Sequence, residues 1–249
     1  MRIIISPAKK RKIDNDAFLH KQMPIFIEEA QRLSDYLQRL SYEELKSIWK
    51  CSDNLAKQNF DIIKKMDLYN NLTPAILSYE GLQYQYMGPG IFTNNELDYI
   101  EKHLRILSGF YGILRPFDGI VPYRLEMQAK LFDHKQKSLY EFWNDKIAKN
   151  IFSESQCIIN LASKEYSKCI SRYLTGNIQL INCVFGELIG EKVVEKGTLA
   201  KMARGEMVRF MAENNVEHAE DIKRFNRLYY VYKEELSDDN NYVFIKTKK

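Results

Sequence analysis

Residues 103–127, HLRILSGFYGILRPFDGIVPYRLEM, restrict what this chain can fold into more than any other stretch. Gly109, Gly112, Pro116 and Pro122 fall within fourteen residues, so no regular element can run far through them. The entry is well marked. Thr93 and Glu96 have the spacing of a capping box, in which each side chain satisfies a free N–H at a helix start. Leu97, Ile100, Leu104 and Leu107 then recur at helical spacing, which predicts a helix ending on a left-handed Gly109. Lys102 and Arg105 lie off that stripe and are expected to face solvent or a ligand. Gly112 allows a second tight turn, Pro116 stops any helix through Arg115, and Pro116-Phe117-Asp118-Gly119 reads as a further turn.

Two chemistries fit this stretch. Glycines three apart beside Arg105, Arg115 and Arg124 let backbone N–H groups approach a phosphate, with the arginines as bidentate donors. That is the logic of a helix-hairpin-helix contact with nucleic acid, here over residues 94–116. The same residues equally describe a compact turn between core elements whose arginines are solvated or ion-paired. The local pattern leaves both open.

At 249 residues, 45% hydrophobic and 28% charged, the chain has the composition of a globular protein with a sizeable core. The net charge of +4 permits a polyanionic partner without requiring one, so the clustering of the cations is what matters. No apolar run approaches the roughly 20 residues of a membrane span. Residues 1–7 lack the longer apolar segment of a signal peptide. Cys51, Cys157, Cys169 and Cys183 form no CxxC pair and read as small apolar residues of a reducing compartment. His20, His103, His134 and His218 show no metal-ligand spacing, so neither a metal nor a cofactor is called for. The expected setting is the cytoplasm.

Arg2–Ile5 predicts a buried strand stopped by Ser6-Pro7, which delivers Ala8 and the run Lys9-Lys10-Arg11-Lys12 to a loop or to a cleft. Residues 24–67 read as helical, with Ser41 and Glu44 as a second capping box and Ser52 as a cap. Residues 74–81 look like a strand that 84–86 continue, and a helix is expected from 139 to about 150. Residues 157–161 predict a strand that feeds a helix through Cys169, with Ser163 at its N-cap. Free N–H groups and the helix dipole there would suit an anion, although a simple capped helix explains the residues too. Further strands are expected at 178–185, 192–196 and 242–245. With no repeat or linker in sight, residues 1–249 read as one domain.

The helix expected over 199–213 presents Leu199, Ala203, Met207 and Phe210 on its core face. Lys201, Gly205 and Arg209 recur on another face, with Arg204 beside them. A mid-helix glycine is unfavourable by about 0.8–1 kcal/mol relative to alanine. Gly205 is therefore a point of anion approach, a point of close helix packing, or neutral. No GxSxG elbow, Walker A loop or GxGxxG is present. Glu126 and Glu165 could do acid–base work or simply pair with cations. No reaction can be named, and binding rather than catalysis is the expected activity.

A set of motifs nevertheless runs in order along residues 6–210. They are Ser6-Pro7-Ala8-Lys9, Ser52-Asp53-Asn54-Leu55-Ala56, residues 103–109, Tyr111-Gly112-Ile113-Leu114-Arg115-Pro116 and residues 122–127. Leu139-Tyr140-x-Phe142-Trp143, Asn160-Leu161-Ala162-Ser163-x-Glu165-Tyr166 and Ala203-Arg204-Gly205-x-Met207-x-Arg209-Phe210 complete the set. Together they resemble the YaaA family (DUF328, UPF0246). Lys10, Asn54 and Tyr229 depart from its usual residues. The resemblance implies a bacterial cytoplasmic protein of the peroxide-stress response that limits iron-linked oxidative damage. It also implies a single mixed α/β domain of unusual topology, its mixed sheet flanked by helices, with a positively charged cleft, a helix-hairpin-helix element and DNA binding.

Two expectations follow. In the first, duplex DNA, bent or distorted forms included, is held by its phosphates with little sequence preference; the sequence leaves the oligomeric state open and favours a monomer. Ser6, Lys9, Arg105, Ser108, Gly109, Gly112, Arg115, Arg124, Asn160, Ser163, Lys201, Arg204, Gly205 and Arg209 would supply the contacts. In the second, the chain is an enzyme acting on a small phosphorylated or nucleotide-like substrate. Ser6, Lys9, Asn160, Ser163, Arg204 and Arg209 then form the anion pocket, and Glu126 or Glu165 is the acid–base group.

Overall fold

The computed structural model describes residues 1–14, 18–131 and 137–247. His134 lies outside them. Ile3, Ile4 and Ile5 are fully buried, as expected of a strand covered on both faces. Arg2–Ile5 pairs in parallel with Leu104–Ser108 on one side and with Cys157–Leu161 on the other, so that Ile4 lies between Arg105 and Asn160. Beyond Cys157–Leu161 follow Gln179–Ile189 and Asn241–Lys246, both parallel. Gly112–Leu114 and Tyr230–Tyr232 close the two edges antiparallel, and Lys192–Val194 folds back on the far end of Gln179–Ile189. Among the described residues the mixed sheet therefore has eight strands. The chain leaves its first strand to one side, at residue 104, and returns to the other side at 157. A crevice at the carboxyl ends of the strands is the geometric result of such a reversal.

Helices Ile27–Arg39, Tyr42–Trp49, Asp53–Lys64, Asn94–His103, Lys146–Glu154, Lys164–Ser171 and Gly197–Glu213 flank the sheet. Both expected capping boxes form, at Ser41 with Glu44 and at Thr93 with Glu96. No helix among the described residues is long and apolar enough to cross a membrane.

The central stretch departs from expectation. The helix begun at Asn94 stops at His103, and Leu104–Ser108 and Gly112–Leu114 form a β-hairpin in place of a helix-hairpin-helix. All five residues of Leu104–Ser108 are buried. A continuous apolar run satisfies a helical stripe and a doubly covered strand alike, and the open edge of Arg2–Ile5 decides for the strand. Gly109 consequently caps no helix. A Cβ there would lie 2.7 Å from the carbonyl oxygen of Leu125, and one on Gly112, at φ 73°, would lie 2.8 Å from the Trp143 ring. Two helices joined by a short turn occur instead at Tyr42–Trp49 and Asp53–Lys64, where Lys50 is left-handed.

Two smaller differences have local causes. Around the strand expected over 74–81, only Thr73–Pro74 and Tyr79–Glu80 are extended, and Ala75–Ser78 forms a helical turn. Residues 84–86 belong to a short helix, Leu82–Met87, that packs against Gly197–Glu213. The helix expected from 139 to 150 breaks at Asn144, φ 44°, into Leu139–Trp143 and Lys146–Glu154.

Candidate anion-binding site

The first strand ends at Ile5, and its continuation meets the start of the helix Lys164–Ser171. The Ser163 N–H donates to Ser6 Oγ at 2.8 Å, and Ser6 Oγ lies 3.2 Å from Ser163 Oγ. Tyr84 Oη donates to the Ser6 carbonyl at 2.9 Å, and Gln83 Nε2 to that of Leu161 at 3.3 Å. These bonds fasten Leu82–Met87 across the crevice. They leave a cavity of about 400 Å³ at the carboxyl ends of the parallel strands.

Three arginines reach this cavity from separate parts of the chain. Arg11 follows the first strand, Arg124 comes from the loop after the central hairpin, and Arg204 from the helix Gly197–Glu213. Each has an Nε shut off from solvent without a hydrogen-bond partner. Arg105, which lies away from this cavity, has an Nε in the same condition, so what distinguishes the three is their convergence on one cavity. Arg124 Nη2 lies 3.3 Å from Glu126 Oε1, and Arg204 Nη2 only 3.5 Å from Glu195. Burial lowers the pKa of Arg204, with Glu195 opposing, but guanidinium remains a cation at neutral pH.

Three carboxylates line the cavity: Glu80, paired with Lys10 at 2.9 Å, and Glu126 and Glu165, which differ in environment. Glu126 faces Lys9 Nζ at 3.0 Å as well as Arg124. Glu165 instead accepts the Gln128 N–H at 3.2 Å. Burial pushes the Glu165 carboxyl up, and neighbouring Glu126 adds to the shift against the pull of Lys9 and the backbone. The folded protein therefore holds the Glu165 proton to a higher pH than the unfolded chain does. The stability this contributes is complete below about pH 4.3 and drains away as pH rises through the folded pKa. Glu165→Gln, which mimics the neutral acid, should accordingly raise the melting temperature at pH 8 and change it little at pH 4. An equal shift at both pH values would contradict this assignment.

Of the residues expected to act, Ser6, Lys9, Arg124, Glu126, Ser163, Glu165, Lys201 and Arg204 line the cavity. Asn160 lines a neighbouring open groove that meets the cavity at Arg204, and its amide is committed to Asn182 and the Ala162 N–H. The others lie elsewhere. Arg105 is buried against Glu154 Oε2 at 2.6 Å, Arg115 binds Asp118 at 3.1 Å, and Arg209 binds Glu213 at 2.7 Å. Gly205 serves helix packing, since a Cβ on it would lie 2.2 Å from the Gln83 carbonyl oxygen. Ser108 Oγ accepts the Phe110 and Tyr111 N–H groups and lies 2.6 Å from the Tyr123 hydroxyl, and the residue does not line the cavity.

Sequence reading passed over Arg11 and the tyrosines around it. The guanidinium carbon of Arg11 stands 3.8 Å from the Tyr123 ring centroid and 5.5 Å from that of Tyr79. The available signal was the placement of Arg11 in a cation run just past a buried strand. Burial also pushes the thiols of Cys169 and Cys183 up to about 12, so both stay protonated at neutral pH.

Fold and site together define an α/β protein whose parallel strands open, at their carboxyl ends, onto an arginine-lined cavity. More particularly, the chain belongs to the peroxide stress protein YaaA family, whose model matches residues 1–236. A UPF0246 protein of Agathobacter rectalis is 54% identical over 244 residues, 98% of this chain and 98% of that protein. One from Desulfitobacterium hafniense is 54% identical over 246 residues, 99% of this chain and 98% of its own length. Another, from Pediococcus pentosaceus, is 49% identical over 248 residues, covering 100% of this chain and 99% of that protein.

Proposed function

We propose that the cavity binds a small phosphorylated or nucleotide-like molecule. On this reading the protein serves the peroxide-stress response through that ligand in the bacterial cytosol, and its effect on iron-linked damage is indirect. The observation that carries the reading is the convergence of Arg11, Arg124 and Arg204 on one cavity. A volume of about 400 Å³ suits a mononucleotide-sized ligand and is far too small for a duplex. Pro7, Ala8, Leu82 and Tyr166 add apolar wall for a base or other flat body.

Thermal shift with inorganic phosphate, pyrophosphate, AMP and ATP tests this. Ligand at about 100 times its Kd stabilises by roughly 2.7 kcal/mol, which a melting curve resolves easily. At least one of the four should shift the protein at millimolar concentration, and Arg204→Ala should remove most of the shift. A wild-type protein indifferent to all four defeats the reading.

Duplex DNA is the second reading. The ammonium-bearing side chains of Lys9 and Lys10 are 68% and 78% exposed at the cavity mouth, beside Lys201. The helical pair at 42–64 also presents Lys50 and Lys57 to solvent. Contacts of this kind hold phosphates and carry little sequence information. Affinity for labelled duplex should then fall steeply between 50 and 200 mM salt. Salt-independent binding, or none at low salt, removes it.

A further inference from the structure

Within the run Lys9-Lys10-Arg11-Lys12, three cations have a carboxylate and one does not. Lys9 faces Glu126 at 3.0 Å, Lys10 faces Glu80 at 2.9 Å, and Lys12 pairs with Asp14. Arg11 has no carboxylate partner among the described residues. Its Nη1 donates to the Lys9 carbonyl at 3.1 Å, its plane lies against Tyr123 and Tyr79, and its Nε is closed to solvent and unpartnered.

The tyrosines give it oxygen dipoles and ring faces but no negative charge. Tyr79 and Tyr123 hydroxyls bond each other at 2.7 Å, and Tyr84 bonds the Ser6 carbonyl. Burial pushes Tyr79, Tyr84 and Tyr166 well above the usual phenol range, so none is ionised at neutral pH. Ring contacts offset part of the desolvation of a guanidinium, and an apolar residue of similar volume would fill the same space without that penalty. Arg11 is therefore poorly explained as a stabilising residue. It does line the cavity, together with Arg124, which is 8% exposed and only loosely paired with Glu126 at 3.3 Å.

We infer that Arg11 and Arg124 are the seat of the ligand's terminal phosphate, a phosphomonoester dianion whose body then runs along Pro7, Ala8 and Leu82. The inference rests on the small-ligand reading of the cavity. It narrows that reading to monoesters and places the phosphate beside Arg11 and Arg124, whose neighbour Glu126 also faces Lys9. The dianion supplies the charge that the tyrosines lack, and the planar guanidinium fork matches its oxygens.

The test uses the full-length protein with AMP, inorganic phosphate and adenosine as probes. AMP should raise the melting temperature of the wild type, and adenosine, without a phosphate, should not. Arg11→Met should melt no lower than the wild type in ligand-free buffer and bind AMP at least tenfold more weakly. Arg11→Lys keeps the charge without the fork and should fall between the two. Arg11→Met that binds AMP within twofold of wild type overturns the seat but leaves the cavity reading standing. Arg11→Met that melts several degrees lower without ligand, or fails to fold, overturns it too, because the residue is then structural. Equal shifts by adenosine and AMP also overturn it. A wild type unmoved by phosphate and by AMP defeats the seat and weakens the cavity reading together, while a response confined to pyrophosphate or ATP defeats the seat alone.

Discussion

Trp143→Ala is expected to lower folding stability by about 3–5 kcal/mol, the range for truncating a fully buried large aromatic. Trp143 is 0% exposed, and its Nε1 donates to the Gly109 carbonyl at 2.9 Å. Its ring covers Gly112 so closely that no Cβ fits between them, and Phe26 and Phe142 pack on it at centroid distances of 5.7 and 5.0 Å. The substitution opens a cavity beneath the turn of the central hairpin and leaves a buried carbonyl without its donor. Both effects act on the strand beside Arg2–Ile5, so the crevice should loosen as well. Urea denaturation measures this directly. A loss below about 1 kcal/mol would mean that the hairpin holds its shape without the indole.

Gly205→Ala should also destabilise, although alanine is the better helix former. Helix propensity alone favours the substitution by about 0.8–1 kcal/mol. Against this stands a Cβ that would lie 2.2 Å from the Gln83 carbonyl oxygen and 3.0 Å from the Met87 N–H, both backbone atoms that cannot swing aside. Gly197–Glu213 and Leu82–Met87 would have to part, and overpacking of this kind typically costs about 1–3 kcal/mol, occasionally more. We expect a net loss of about 2 kcal/mol, or roughly 4–8 °C in a protein of this size. Because Gln83 and Arg204 both line the cavity, ligand affinity should fall with stability. A variant that melts at or above the wild-type temperature would show that the helix contact has room to relax.

These two glycine contacts mark where sequence reading works and where it stops. Elements whose local and tertiary preferences agree were legible: the strands at 2–5 and 157–161, both capping boxes, and the helix around Ala203, Met207 and Phe210. Residues 104–108 were not, because an apolar run carries no period once both faces are covered. The site divides along a similar line. Residues that follow a strand end or open a helix, such as Ser6, Lys9 and Ser163, could be placed by local rules. Arg105 looks the same in sequence as Arg124 and Arg204. Asp118 and Glu213 lie three and four residues beyond Arg115 and Arg209 and could have been paired from spacing, whereas only the fold brings Glu154 to Arg105. Arg11 was missed because its aromatic partners, Tyr79 and Tyr123, are far off in the chain.

The position of the first strand has a consequence for biosynthesis. Residues 2–5 are made before both of their neighbours in the sheet, 104–108 and 157–161. An isoleucine-rich segment with two unsatisfied edges must wait until residue 161 has been made, which is the situation in which nascent chains misassociate. Such long-range pairing also slows folding once the chain is complete. Growth conditions that damage or distract chaperones should therefore lower the yield of this protein before they affect the finished molecule.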